Sequence, residues 1–320
     1  MSMEQNKTKK WKGVLLAGVL AVAGLGVAIW GLESGRLTFA NVAATQMTFP
    51  SPAEAASALA QATKKGDEQA LTKVLGGEGK ALITSGDKES DRAAMQEFYA
   101  KYHRMNRWVN MTDGSQVLYI GADNFAFPVP LAKNASGYWY FDEVAGAQEI
   151  RAREIGRNEL LAIEACGALA NAEEAYFATS NTGEYAQRVV STPGKQDGLY
   201  WPASEATGTS PLAGLSRLPK SSLASWSADK PFVMDGYTLR ILMAQGEEAP
   251  GGAQGYVVDG KMTGGFAILA TPVKYGETGI MSFLLGPGGF VYEQDLGPDT
   301  VNIATSIPEF NPDDKWSPID

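Results

Sequence analysis

Few side chains in this sequence could do chemistry, and each stands nearly alone. There is one histidine, His103, and one cysteine, Cys166. His103 lies in YAKYHRMNRW, where an imidazole could serve as a general base near neutral pH. The same position falls at the expected end of a helix, among Lys101, Arg104 and Arg107, where cations meet the helix dipole favourably. We adopt that helix-end reading. Cys166 sits mid-helix between Ala165 and Gly167, away from any helix N-terminus or cation that would lower a thiol pKa, and reads as buried filler. One cysteine cannot close an intramolecular disulfide, and one of each residue cannot make a Cys/His zinc or copper centre. No D-x-D-x-D-G loop supplies calcium ligands. No metal and no cofactor are expected.

The densest polar and aromatic group is 191–201, STPGKQDGLYW. Lys195, Asp197, Tyr200 and Trp201 place a cation, a carboxylate and two aromatics on a short loop shaped by Gly and Pro. Such a set could stack on and orient a sugar or a peptide, with Arg157, Glu159 and Arg188 completing it. A purely structural version stands against this: Lys195 paired with a nearby carboxylate and Trp201 in the core. These seven are the candidate ligand-binding residues, and none is assigned as catalytic. The glycines of 249-APGGAQG-255 lack the Lys-Ser/Thr ending of a phosphate loop and read as turn residues. Glu173 and Glu174 are adjacent, hence ~100° apart on a helix, and cannot face each other as a catalytic pair. A solvated helix face is expected for both.

These residues need elements to position them. Basic residues in 1–12 precede an uncharged run, 13–31, that as a helix would span ~28 Å. That is the pattern of a secretory signal or a signal anchor, with a small-residue processing site ending at Ala44. From Ser51, an N-cap followed by Pro52 and Glu54 starts a helical pattern carried by Ala55, Leu59, Ala62, Leu71, Val74 and Leu75. Residues 91–104 predict another helix, with Ala94, Phe98 and Tyr102 on one face. The runs QVLYIG, FAFPVPLAK and YWYFD read as strands, the last two joined by a turn at 134–137. Pro128 and Pro130 make the middle run an edge strand or a bulge.

Residues 143–179 read as helix, broken at Gly156 and recapped by Asn158. Leu161, Ala165, Leu169, Ala172 and Tyr176 form its apolar stripe. Residues 184–190 follow as a short helix or extended run, and 203–231 as a long surface loop. Strands are expected at 237–244, 255–258, 265–273, 279–285 and 290–294, and the tail beyond Leu296 should wrap the surface.

The fold class is therefore α+β. A leader (1–44) precedes a small α+β domain (48–142) of helices and antiparallel sheet, cystatin-like or nuclear-transport-factor-like (NTF2-like), and a second α+β domain (143–320). The net charge of −9 and the absence of a basic stripe disfavour a nucleic-acid partner.

The segments TFPSPAEAASAL, IGRNELLAIEAC, EYAQRVVSTPGKQDGLYWP, APGGAQGYVVDGKMTGGFAILATPVKYGETGIMSF and VYEQDLGPDT closely resemble the bacterial family known as domain of unknown function 2950 (DUF2950), over about residues 48–318. That resemblance implies an exported bacterial protein and carries no catalytic residue. A second resemblance, of the helix around 158–176 and the strands of 237–294, is to the globular part of type IV pilins and pseudopilins. It implies a long helix packed on an antiparallel sheet. A whole N-terminal domain precedes this region where a pilin has its assembly helix, so fibre formation does not follow from it.

The functional expectation is an exported cell-envelope protein, periplasmic or anchored at the inner membrane through 13–31, acting as a non-catalytic binding or assembly module. Its partner would be an envelope protein, a polysaccharide or a peptide. The alternative is a hydrolase of cell-wall or extracellular polymer, with Asp197 or Glu159 as acid and base. A structural protein contacting lipid or matrix is a third possibility.

Overall fold

The computed structural model describes residues 46–77, 79, 85, 87–180, 183–202, 209–214, 227–228 and 230–319. The expected leader, including 13–31 and the site at Ala44, lies outside the described residues, as does most of 203–231. Among the described residues, no helix is long and apolar enough to cross a membrane. The fold is α+β with antiparallel sheets, and the chain divides into two compact units between Ala147 and Gln148.

In the first unit, Ser51 caps α1 (Pro52–Lys65) by accepting the Glu54 N–H, and Pro52 takes the first helical position, where no N–H is needed. Gly66 ends the helix in the left-handed region at φ 60°. Asp67 and Asp87 cap α2 (Glu68–Leu75) and α3 (Lys88–Arg104) in the same way. On α3, Phe98 and Tyr102 stack at 6.4 Å between centroids, as their spacing requires. Ala94 is exposed instead of sharing that face, and its neighbour Met95 is the buried residue.

The sheet runs β1 (Asn106–Asn110), β2 (Gln116–Ile120), β4 (Leu131–Lys133), β5 (Trp139–Phe141), with β3 (Phe125–Ala126) on β2. Pro128 and Pro130 have no N–H to give a ladder, so the run 125–133 splits into two short strands. The β5 edge is extended by Phe49, which exchanges backbone hydrogen bonds with Trp139. Leu59, Leu71, Leu75, Leu118, Leu131 and Phe141 close a separate core.

A single 37-residue helix, α4 (Glu143–Thr179), runs through the division point. Gly156 does not break it. A helical Gly costs only ~1 kcal/mol relative to Ala, and the following turn is tied down by tertiary bonds. Asn158, expected to cap a second helix, instead donates its side-chain amide to the Thr278 carbonyl at 3.0 Å. The next residue, Glu159, accepts the Ile280 and Met281 N–H groups at 2.9 and 3.0 Å. The buried stripe runs Ala162, Ala165, Cys166, Leu169, Ala172 and Glu173.

Beyond α4, residues 184–190 form no helix. They make isolated bridges, Tyr185 to Met262 and Val190 to Tyr200. The strands that follow are β6 (Phe232–Met234), β7 (Tyr237–Leu242), β8 (Ala244–Gln245), β9 (Gln254–Gly255), β10 (Val257–Val258), β11 (Lys261–Met262), β12 (Ala267–Pro272), β13 (Met281–Leu285), β14 (Val291–Asp295) and β15 (Ser317–Pro318). Six make one antiparallel sheet, ordered β15-β14-β13-β12-β7-β6. Two tight hairpins turn on Asp235-Gly236 and Asp259-Gly260, with positive φ at both residues of each turn, the geometry in which Asp-Gly is favoured.

Register assigns the faces of this sheet. Leu239, Ala270 and Phe283 are cross-strand neighbours and share a core with Ala165 and Leu169 of α4. Arg240, Leu269, Leu284 and Tyr292 are likewise aligned and face the other way. The tail does more than wrap the surface: it forms α5 (Thr300–Thr305), buries Phe310 and adds β15 to the sheet edge. Arg240 ties α5 down, donating to the Ala304 and Ile307 carbonyls at 2.8 and 2.6 Å, a cation at a helix C-terminus.

Candidate functional site

The loop 191–201 closes on itself. Ser191 and Tyr200 pair backbones (Ser191 N–H to Tyr200 carbonyl, 2.8 Å), and the Leu199 N–H reaches the Arg188 carbonyl. Asp197 accepts the Thr192 N–H at 2.7 Å and the Thr192 hydroxyl at 2.8 Å, and Arg188 donates to that same hydroxyl at 3.1 Å. Burial works to raise the Asp197 carboxyl, but the two Thr192 hydrogen bonds and the Arg188 charge outweigh it and hold the group below its ordinary range. Gly198 has to be glycine: a Cβ there would lie 2.8 Å from the Ser191 nitrogen and the Val190 carbonyl carbon, both backbone.

The aromatics of this loop point inward, with Tyr200 8% and Trp201 9% exposed. The Trp201 indole N–H is buried with no partner among the described residues. Lys195 is exposed. Helix α4 separates the other candidates from this group. Tyr176 donates its hydroxyl hydrogen to the Gln196 carbonyl at 2.9 Å, so the loop sits beside residue 176. Arg157 and Glu159 lie 19 and 17 residues earlier, ~25–29 Å along the axis. The structure therefore brings Arg188, Asp197, Tyr200 and Trp201 together around one loop and leaves Arg157 and Glu159 at another place.

Glu173 corrects the solvated-face expectation. It is fully buried, while Glu174 is exposed. The stripe read from the sequence is buried at Ala165, Leu169 and Ala172, and the buried face widens on one side to take in Ala162, Cys166 and Glu173, so the series 162–166–169–173 ends on a carboxylate. One carboxylate oxygen accepts the Ala186 N–H at 2.8 Å, and the other has no partner among the described residues. Burial pushes this carboxyl up to about 9, against the Ala186 hydrogen bond and with help from the Glu174 charge.

The remaining lone groups fall where the sequence put them. Cys166 is fully buried, which pushes its thiol up to about 12 and leaves no thiolate at neutral pH. His103 is in the last turn of α3, its ring 4.3 Å from Tyr99 and 5.7 Å from Tyr102. The 249–255 turn presents carbonyls, those of Pro250 and Gly252, to the Gln245 side-chain amide. Among the described residues no three His, Cys, Asp or Glu side chains converge as metal ligands.

A concavity of the second unit lies elsewhere, on the face of the sheet that bears Leu284. It is open to solvent and holds about 300 Å³, with Leu284, Ile303 and Ile307 among its apolar walls. Gln294, on the same sheet face through its pairing with Ser282, adds an amide. The outer wall is an arch, 311–316, held at both ends. At one end Phe310 is buried, its N–H bonding the Ala244 carbonyl at 2.9 Å and its carbonyl accepting the Gly246 N–H at 3.0 Å. Gly286 lets the Phe310 ring seat, since a Cβ there would overlap it. At the other end, β15 pairs with β14 and the Ile319 N–H bonds the Val291 carbonyl at 2.9 Å.

Polar groups on the arch and beside it face this cleft: Glu309, Asn311, Asp313, Lys315 and the Trp316 indole. Asn311 is fixed by the Glu248 N–H at 2.8 Å, and Asp313 by the Lys315 N–H at 3.0 Å. Gly246 permits the approach, because a Cβ there would come within 2.6 Å of Glu309 and Asn311 side-chain atoms. The sequence signal for this site was weak: a Pro- and Asp-rich tail without periodicity, whose one cue is the pair of aromatics Phe310 and Trp316.

The arrangement defines an α+β protein with a tail-walled polar cleft. The chain belongs to the family described as protein of unknown function (DUF2950), which it matches over residues 46–319. No curated protein and no solved structure matches it.

Proposed function

We propose that this is an exported cell-envelope protein, periplasmic or anchored at the inner membrane, that works as a non-catalytic binding or assembly module. The observation that carries the reading is the cleft beneath the arch 311–316, a concave site of about 300 Å³, at the lower end of the size of small-molecule sites. Its polar groups come from a stapled segment on a rigid sheet, which suits orientation of a bound unit. The lone thiol is buried, and Asp197 and Glu159 are engaged with backbone or hydroxyl donors. Export rests on the basic start and the uncharged run 13–31. A pilin-like arrangement of the second unit is supported by one long helix sharing a core with an antiparallel sheet. Helices sharing a core with an antiparallel sheet support a cystatin-like or NTF2-like first unit in the same way.

The test is a thermal-shift screen of the protein against sugars, muropeptides and peptides. Midpoint increases that saturate with ligand, without turnover, are expected. Turnover abolished by Asp197→Asn with folding intact would replace this reading with an enzyme. A hydrolytic reading retains one specific observation: burial and then the charge of Glu159 raise the Glu293 carboxyl above its ordinary range, the direction that suits a general acid. Loss of polymer cleavage in Glu293→Gln would favour it.

A further inference from the structure

We propose that the cleft under the arch takes one neutral sugar ring of a glycan chain, stacked on Trp316 and fixed by the polar groups around it. This rests on the binding reading above and names its ligand class.

Three features of the lining argue for hydroxyls over charged groups. First, donors and acceptors are mixed. Glu309 and Asp313 only accept, Lys315 only donates, and Gln294, Asn311 and Ser306 do both. A hydroxyl both gives and takes a hydrogen bond and can use such a set. An ammonium group would meet Lys315, and an anion would meet the two carboxylates. Second, Trp316 lines the cleft half-buried among polar neighbours, and an indole can stack its apolar face on the C–H side of a sugar ring. Third, the polar groups are held before any ligand arrives: Asn311 by Glu248, Asp313 by Lys315, and the arch by Phe310 and β15. Side chains fixed in advance lose little freedom on binding, which matters for weak, hydroxyl-rich ligands.

The experiment uses the full chain, with saturation-transfer NMR and indole fluorescence as readouts. The probes are cellotriose, maltotriose, triacetylchitotriose and a short peptide carrying a free amine. At least one trisaccharide is expected to bind, and Trp316→Ala to weaken it tenfold or more with the thermal midpoint retained. Should Trp316→Ala loosen the arch, Gln294→Leu and Glu309→Gln serve instead, each expected to weaken binding several-fold while Lys261→Ala, exposed on β11 and outside the cleft lining, leaves it unchanged. Trisaccharide binding untouched by the cleft variants overturns the site while leaving the protein a binding module. The amine peptide binding in the cleft where sugars do not overturns the ligand class. No trisaccharide binding at all overturns the proposal, and the broader screen then decides the binding reading on its own.

Discussion

Glu173 reaches out of the α4 stripe to the Ala186 N–H, 2.8 Å away, and does so from a fully buried position. The helix and the chain that returns beside it are thus joined through a carboxyl that burial keeps protonated, its pKa pushed up to about 9.

This carboxyl makes stability fall with rising pH. The folded pKa lies above the unfolded value of ~4.3, so the contribution is complete below the unfolded pKa. It is lost as pH climbs toward about 9, at no more than ~1.4 kcal/mol per pH unit. Glu173→Gln keeps a neutral side chain of the same shape and removes the titration. Urea unfolding at pH 5 and pH 8.5 should show the variant gaining on the parent at the higher pH. Parallel pH profiles for the two proteins would mean that Glu173 does not hold a proton in the fold.

Gly198→Ala should destabilise by ~1–3 kcal/mol, as overpacking does. The added methyl meets backbone atoms at 2.8 Å, which cannot rotate aside as a side chain would. Denaturant melts measure this, and an unchanged midpoint would show that the ring of bonds around 191–201 is slack.

Ser282→Ala should be neutral or mildly stabilising. The hydroxyl is fully buried with no partner among the described residues, so its removal relieves an unpaired polar group. A loss above ~1 kcal/mol, the usual worth of a made hydrogen bond, would reveal a partner for it.

Phe310→Ala should cost ~3–5 kcal/mol, the range for large aromatic truncations in cores. It empties the seat at Gly286 and takes away the edge contact with Tyr292, 5.9 Å between centroids. Limited proteolysis should then cut between residues 307 and 316 faster than in the parent protein.

Much of the scaffold was legible because local rules governed it. Ser51-Pro52 had to begin a helix, and Asn134 to Gly137 had to turn a hairpin, because those residues satisfy the backbone at that spot without help from elsewhere. Asp235-Gly236 carries an equally local hairpin signal, and it turns β6, which lies outside the strands expected from the sequence, into β7. What was misread depends on partners distant in the chain. Gly156 looked like a helix break because the bonds from Asn158 and Glu159 to residues 278–281 are invisible in sequence. Glu173 looked solvated because its charge outweighed its place in the 162–166–169–173 series, and only the Ala186 N–H, on a returning segment, explains its burial. The cleft was illegible for the same reason: its floor is Leu284 and its wall is residues 311–316, joined only by register.

The arch hangs from two fastenings, the Phe310 seat and the short β15 pairing. Releasing either frees the whole wall at once while the six-stranded sheet below stays intact. Hydrogen exchange should therefore find the amides of Gly246, Phe310 and Ile319 opening together, at lower free energy than those of β12 and β13. An occupant of the cleft would slow exchange at those three amides first, so occupancy can be followed there before the occupant has been identified.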